Sequence, residues 1–255
     1  MLEMFNLKGK CAIVSGGSRG LGRGMAEGLL EAGASVVILG SSQKVEESVQ
    51  AFKKQGFSCA GMVVDLSRTE ECKRVFDQAV ELLGDLDILV NAAGIQRRYA
   101  CTEFPLEDWE SVMKLNLTVP FLLSQMAAGK FLAKKNPGGK IINIASMLSF
   151  FGGQTVPAYA ASKGGIAQLT KAMCNELAGK GINVNAIAPG YMDTEMNAAL
   201  TDPANPRYRE ITARIPAGRW GTPEDVKGIT VFLASSASDY LNGAVIPVDG
   251  GYLVK

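Results

Sequence analysis

The sequence predicts an α/β fold: one doubly wound parallel sheet of about seven strands, with helices on both faces. Three observations carry this. Short apolar runs alternate regularly with longer helical stretches along all 255 residues, the pattern of right-handed βαβ crossovers. The runs are nearly free of polar residues, as in buried strands. Glycines and other small residues follow several of them, at the strand ends where ligands collect in open parallel sheets. Seven strands with their helices use up residues 1–255, so one domain is expected rather than two.

The first expected strand is 10–15, KCAIVS, and the first helix 21–32. Between them lies Gly16-Gly17-Ser18-Arg19-Gly20-Leu21-Gly22. Glycines let a backbone approach closely, and a helix N-terminus offers free N–H groups, so the turn suits a phosphate. Its spacing, G-x-x-x-G-x-G, also arises from packing alone. The same residues spell G-x-S-x-G, a nucleophile elbow, but the chain has no histidine to activate Ser18. That absence excludes Ser-His-Asp and Cys-His hydrolases in their usual form.

Residues 35–39, SVVIL, are the second strand, and Gly40-Ser41-Ser42 the turn after it. In a dinucleotide fold this turn meets the adenosine ribose, where an acid would select NAD. No acid is present. Ser41, Ser42 and Arg19 suit a 2′-phosphate, which leans the expected cofactor from NAD towards NADP; a solvated serine turn is the alternative. Helix 43–55 leads to strand 58–64 and then to Asp65 and Leu66. Asp65 reads either as a ligand contact or as the N-cap of helix 69–83. Strand 86–90 runs into Asn91-Ala92-Ala93-Gly94, small enough to admit a flat ring. Residues 95–107 are irregular and carry Arg97 and Arg98. A long helix, 107–135, holds Asn116 among apolar neighbours, where an amide needs partners. Pro120 is expected to kink it.

Proton-handling residues gather next. The apolar run 141–145 closes in Ser146, and Pro157 opens helix 157–179. Tyr159 and Lys163 are four residues apart on that helix and share a face. A phenol has a pKa of roughly 10. An ammonium beside it is expected to pull that value down, making Tyr159 a proton donor–acceptor near neutrality. Ser146 would hold an oxygen opposite. The plain alternative is a Tyr and a Lys on an ordinary amphipathic helix. Strand 182–187 runs into Pro189-Gly190, and 191–220 is a loop-rich stretch with Met192, Thr194 and several arginines, expected as a substrate lid. Helix 223–235 and strand 244–248 complete the chain.

Composition narrows the partners. Net charge is +1, from 26 basic and 25 acidic side chains without a run of either sign, so neither nucleic acid nor a membrane surface is expected. The five cysteines are scattered and lack a C-x-x-C pair, which suits a reducing, cytoplasmic setting and offers no metal site. The opening MLEMFNLKGK lacks the apolar stretch of a signal peptide.

Together the motifs resemble the short-chain dehydrogenase/reductase family over about residues 7–254, which implies a Rossmann-type fold. Ser15 to Gly22 resembles T-G-x-x-x-G-x-G with Ser for Thr, and Asn91 to Gly94 resembles N-N-A-G with Ala92 for the second Asn. The resemblance implies a catalytic set of Asn116, Ser146, Tyr159 and Lys163. Tyr159 would exchange the proton, and Ser146 would hold the substrate oxygen. Lys163 would lower the Tyr159 pKa and hold the nicotinamide ribose, and Asn116 would hold a water relay. It implies cofactor contacts at Gly16, Ser18, Arg19, Gly20, Leu21, Gly22, Ser41, Ser42, Asp65, Leu66, Asn91, Ala92, Ala93, Gly94, Tyr159, Lys163, Pro189, Gly190, Met192 and Thr194.

The strings IINIASMLSF, RIPAGRWG and FLASSASDYLNG are similar to sugar-acid dehydrogenases within the family. This implies a small keto or hydroxy acid of the 2-dehydro-3-deoxy-D-gluconate or gluconate type, met by Ser146, Gln154, Arg97 and Arg98. A 3-oxoacyl-carrier-protein reductase is the alternative, and a catalytically silent ligand-binding member is the alternative of another class. Gly164 and Gly165 on helix 157–179, with Leu115, Val119, Leu122 and Met126 on helix 107–135, suggest stacking in a homotetramer, which the resemblance also implies. The competing reading is that the glycines only let their helix sit close to its own sheet.

Overall fold

The computed structural model describes residues 2–202 and 204–255. The apolar runs form one parallel sheet from β1 (Cys11–Ser15), β2 (Ser35–Gly40), β3 (Cys59–Val63), β4 (Ile88–Asn91), β5 (Gly139–Ile144), β6 (Ile182–Pro189) and β7 (Val245–Val248). Their order is β3-β2-β1-β4-β5-β6-β7. The order reverses between β1 and β4, which pair in register with Ser15 opposite Asn91. A crevice opens at such a switch point, beyond the carboxyl ends of the strands.

Each central strand feeds both faces of the sheet. Val14, Val36 and Ile38 point into a core with α1 (Gly20–Glu31), α2 (Lys44–Lys54) and α9 (Lys227–Ala234). Their neighbours Ile13, Val37 and Leu39 point the other way, into a core with α3 (Cys72–Leu83) and α5 (Val119–Leu132). The period of two is the strand's own. Because both faces are covered, central strands such as β1 and β2 lack polar alternation, as parallel sheets do.

The expected helix 107–135 is three pieces: α4 (Leu106–Met113), a π-turn (Lys114–Thr118) and α5. Pro120 has no N–H to give the Asn116 carbonyl four residues back, so an ordinary α-turn cannot close there. The wider turn closes instead from Val119 N–H to the Lys114 carbonyl. The disruption precedes Pro120 rather than bending the helix at it. Helix 69–83 begins as a 3₁₀ turn, Thr69–Glu71, before α3, and Asp65 does not cap it. Asp65 Oδ1 accepts from Ser67 N at 3.0 Å in a local turn.

The stretch 191–220 holds a 3₁₀ turn (Glu195–Asn197), α7 (Ala198–Thr201) and α8 (Pro206–Arg214). It is anchored by a satellite core of Met147, Ile211, Ile215, Trp220 and Tyr252. Tyr208 stacks on Trp220 with ring centroids 5.9 Å apart, and Trp220 Nε1 donates to Thr212 Oγ1 at 2.9 Å. α6 (Pro157–Leu177) lies beside the π-turn. A Cβ on Gly165 would come 2.8 Å from Leu117, whereas one on Gly164 would meet nothing within 4 Å. Gly165 is therefore explained by close packing within the chain, and Val119, expected on an outer stripe, is fully buried in the core. Among the described residues, no helix is long and apolar enough to cross a membrane.

Candidate active site

A cleft of about 840 Å³ lies over the switch point. Its walls come from the glycine turn, the turns after β2, β3 and β4, the end of β5, the first turns of α6, and residues beyond β6. It brings together Gly16, Ser18, Arg19, Gly20, Leu21, Gly22, Ser41, Ser42, Asp65, Leu66, Ala92, Ala93, Gly94, Ser146, Tyr159, Lys163, Pro189, Gly190, Met192 and Thr194. Three expected residues are not on its lining: Asn91, Asn116 and Gln154.

The glycine turn is built by contact. Gly16 has φ +70°, and a Cβ there would lie 2.7 Å from Ala93 N. A Cβ on Gly22 would lie 2.2 Å from the Gly16 carbonyl oxygen. These glycines let α1 start directly against the turn after β4. Ser15 ties the two turns: Ala92 N donates to its carbonyl at 3.1 Å and Ala93 N to its hydroxyl at 3.3 Å. The N-terminus of α1 has no side-chain cap and no acid in its first turn. Its N–H groups are thus left for an anion, and a dinucleotide pyrophosphate fits this donor set.

Asn91 faces inward instead. It is buried, and Nδ2 donates to Ser124 Oγ at 2.9 Å and Asn143 Oδ1 at 2.8 Å. Asn143 Nδ2 donates onward to Thr170 Oγ1 at 3.0 Å. This chain of side chains ties β4 and β5 to α5 and α6, so Asn91 positions the turn rather than lining the cofactor cleft.

Asn116 also works from behind. Its Oδ1 accepts from Ile95 N at 2.8 Å, and Nδ2 donates to the Ile95 carbonyl at 2.9 Å and to Ser162 Oγ at 3.2 Å. The π-turn thereby clamps the backbone of Ile95, in the segment after β4, to α6. The side chain has no donor left for a water, so the expected relay cannot run through its amide nitrogen.

Ser146 sits at the end of β5 in an extended conformation, and its hydroxyl accepts from Leu148 N at 3.1 Å. Ser149 completes a reciprocal cap, accepting from Ser146 N at 3.3 Å and donating to the Lys163 carbonyl at 2.7 Å. Residues 146–149 are thus bolted to the helix that carries Tyr159 and Lys163. The Tyr159 hydroxyl shares the cleft wall with Ser146, whose side chain favours the phenolate.

The expected fall in the Tyr159 pKa is not what this arrangement gives. Burial pushes the phenol above its ordinary value, against smaller opposing pulls from Ser146 and Arg98. Lys163 makes no hydrogen bond to the hydroxyl. Its Nζ donates to the Ile144 carbonyl at 2.6 Å and lies 5.5 Å from the centre of the Tyr159 ring. Burial lowers the ammonium itself to about 8. The pair shares a face, as the spacing predicts, but the charge is held below the ring.

The two candidate arginines separate. Arg97 Nε donates to Asp108 Oδ1 at 3.1 Å, tying its loop to α4. Arg98 is acted on by Arg207 of the lid and by the Tyr191 and Tyr159 hydroxyls, with no acid among them. Burial and the Arg207 charge both disfavour its charged form, so an anion beside it would be stabilised. Gln154 lies on an exposed turn, next to Thr155 at φ +62°. Sequence reasoning missed the importance of Ser149 and Ser162; the S-x-x-S spacing from Ser146 was the available sign of the first.

Residues 16–253 match the family model described as enoyl-(acyl carrier protein) reductase. The chain is 49% identical over 257 residues to the 2-dehydro-3-deoxy-D-gluconate 5-dehydrogenase of Escherichia coli (strain K12), covering 100% of both chains. It is 47% identical over 255 residues to the enzyme of that name from Dickeya dadantii (strain 3937), again covering 100% of both. The crystal structure of a gluconate 5-dehydrogenase from Burkholderia cenocepacia J2315, in complex with NADP and tartrate, superposes with a TM-score of 0.94. That pair is 40% identical, over 100% of this chain and 99% of the other.

Proposed function

The chain belongs to the short-chain dehydrogenase/reductase family, and from that premise we propose that it interconverts a hydroxyl and a ketone on a small sugar acid. It is an NAD(P)-dependent oxidoreductase. The observation that carries the reading is the convergence of Ser146, Tyr159 and an acid-free Arg98 at one end of a nucleotide-sized cleft. Relatives named for 2-dehydro-3-deoxy-D-gluconate, and a neighbour holding NADP and tartrate, support it.

In this reading the uncapped turn at Gly20–Gly22 holds the cofactor pyrophosphate, and Asp65 and Leu66 border the adenine. Ser41, Ser42 and Arg19 face the ribose and, with NADP, its 2′-phosphate. Lys163 holds the nicotinamide ribose, and Pro189, Gly190, Met192 and Thr194 border the nicotinamide. When bound, the nicotinamide supplies or accepts the hydride. Tyr159 gives its hydroxyl proton to the ketone oxygen in reduction and takes it back as phenolate in oxidation. Ser146 hydrogen-bonds the same oxygen and keeps it beside the phenol. Arg98, with Arg207 from the lid, pairs with the substrate carboxylate, a geometry suited to guanidinium. A charge-bearing pocket there favours a sugar acid over an acyl chain.

The whole chain acts as one dinucleotide-binding and catalytic domain, with 191–220 as its substrate lid. It works in the cytoplasm as a homotetramer, assembled through the outer faces of α5 and α6. The test is absorbance at 340 nm with NADPH and NADH against a panel of keto acids, their esters and 3-oxoacyl thioesters. Turnover of the free acids with NADPH, lost on esterification, is the expected result. Turnover of the thioesters alone would overturn the sugar-acid reading. Arg98→Ala should raise KM for the acid by about tenfold or more, roughly 1.4 kcal/mol, and leave KM for the neutral ester unchanged.

A further inference from the structure

We propose that Glu195 is a built-in competitor for the cofactor's 2′-phosphate, and that it thereby sets how strongly this enzyme favours NADP over NAD. The proposal rests on the cofactor reading above. Glu195 opens the lid, in the 3₁₀ turn directly after Thr194. Its carboxylate reaches back across the cleft to two cations from different elements. Arg19 Nη1, in the glycine turn, lies 3.0 Å from Oε2, and Lys44 Nζ, at the start of α2, lies 2.6 Å from Oε1. Both cations hold the carboxyl below its ordinary pKa. Ser41 and Ser42 complete the same wall, and Glu195 lines the cleft with them and Arg19.

The region that offers charge to a 2′-phosphate therefore already contains an anion. A phosphate monoester carries about −1.5 to −2 charge and three acceptor oxygens, so it can take over both cations from one carboxylate. Exchange is easy because all three side chains are exposed, at 61%, 44% and 56% for Arg19, Lys44 and Glu195. Exposed pairs of this kind are individually weak. A nucleotide with a free 2′-hydroxyl has no charge with which to displace Glu195. Two consequences follow. Glu195 weakens binding of 2′-phosphorylated nucleotides without touching the others. Only the 2′-phosphorylated nucleotide also frees the first turn of the lid from the glycine turn.

The experiment is calorimetric titration of the full chain with 2′,5′-ADP and with 5′-ADP, for wild type, Glu195→Gln and Glu210→Gln. Glu210 is an exposed lid carboxylate that serves as a control for general charge. Glu195→Gln should tighten 2′,5′-ADP by about two- to fivefold, the span of an exposed ion pair, with 5′-ADP unchanged. The gain should shrink as ionic strength rises. Hydrogen exchange gives a second readout: 2′,5′-ADP should speed exchange at residues 195–197, and 5′-ADP should not. An unchanged ratio of the two affinities in Glu195→Gln, or an equal gain in Glu210→Gln, overturns the proposal. Failure of wild type to bind either nucleotide would instead overturn the cofactor reading beneath it.

Discussion

Tyr159 must lose and regain a proton near neutral pH, yet its own burial works against ionisation. Ser146 and Arg98 oppose that burial directly. Lys163 can oppose it only while charged, and its own pKa is about 8. The direction of the pH effect follows. Reduction leaves negative charge on the Tyr159 oxygen, which a cationic Lys163 favours. With substrate reduction followed from pH 6 to 10, kcat/KM should be level below about 8 and fall above it as Lys163 neutralises. Lys163→Met should have a lower rate throughout and no inflection near that value. An inflection that survives in Lys163→Met would assign the titration to another group. Tyr159→Phe removes the proton but neither Ser146 nor the glycine turn. It should keep nucleotide affinity and retain at most a few per cent of wild-type kcat; retention of more would show that another group supplies the proton.

At the scale of elements, the π-turn at Lys114–Thr118 has the most consequence for the site, because it carries Asn116. Pro120 removes the hydrogen bond that would close an α-turn onto Asn116, and the Asn116 amide holds Ile95 and Ser162. Leu117, from the same turn, packs against Gly165. A methyl group at Gly165 would sit 2.8 Å from a Leu117 methyl in a place already filled. Displacing the Leu117 methyls costs about 1–3 kcal/mol, against about 0.5–1 kcal/mol gained by replacing a helical glycine, so Gly165→Ala should destabilise the fold by at most about 2 kcal/mol, read as a lower midpoint in urea with an unchanged slope. Much of this level was legible in the sequence. The runs 10–15 and 35–39 read as strands because they are almost continuously apolar between turn residues, and the regular alternation of runs with helices pointed to a parallel, doubly wound sheet. The π-turn was not legible: an apolar helix with a proline near its middle reads as one kinked helix until the Asn116 partners are known. The inward turn of the Asn91 side chain was illegible for a related reason. A motif locates a turn beside the cofactor but does not say which side chains face it, and the inward face was decided by Ser124 and Asn143, far away in sequence. The direction of the Tyr159 pKa turned on burial, and the Lys163 partner is the Ile144 carbonyl, a backbone group that no spacing rule identifies.

For the whole molecule, the proposed assembly turns on Gly164. Its neighbour Gly165 is needed for packing within the chain, but a Cβ on Gly164 meets nothing within 4 Å, and the same holds for Gly129 on α5. Phe121 on α5 is 41% exposed. An interior helical glycine costs about 0.5–1 kcal/mol relative to alanine. In an isolated chain, Gly164→Ala would therefore raise stability by that amount and change nothing else. If α6 stacks on α6 of a second copy about a two-fold axis, the added methyl meets its own image, and each closed assembly carries the clash more than once. Wild type should then scatter light as an assembly of several times the 27.0 kDa chain at micromolar concentration. Gly164→Ala should shift that mass downward, and its melting temperature should fall on dilution where wild type's does not, since association adds to stability by mass action. A 27.0 kDa wild-type particle, joined to a Gly164→Ala variant of raised melting temperature, would leave α6 as a surface helix and rule out this interface.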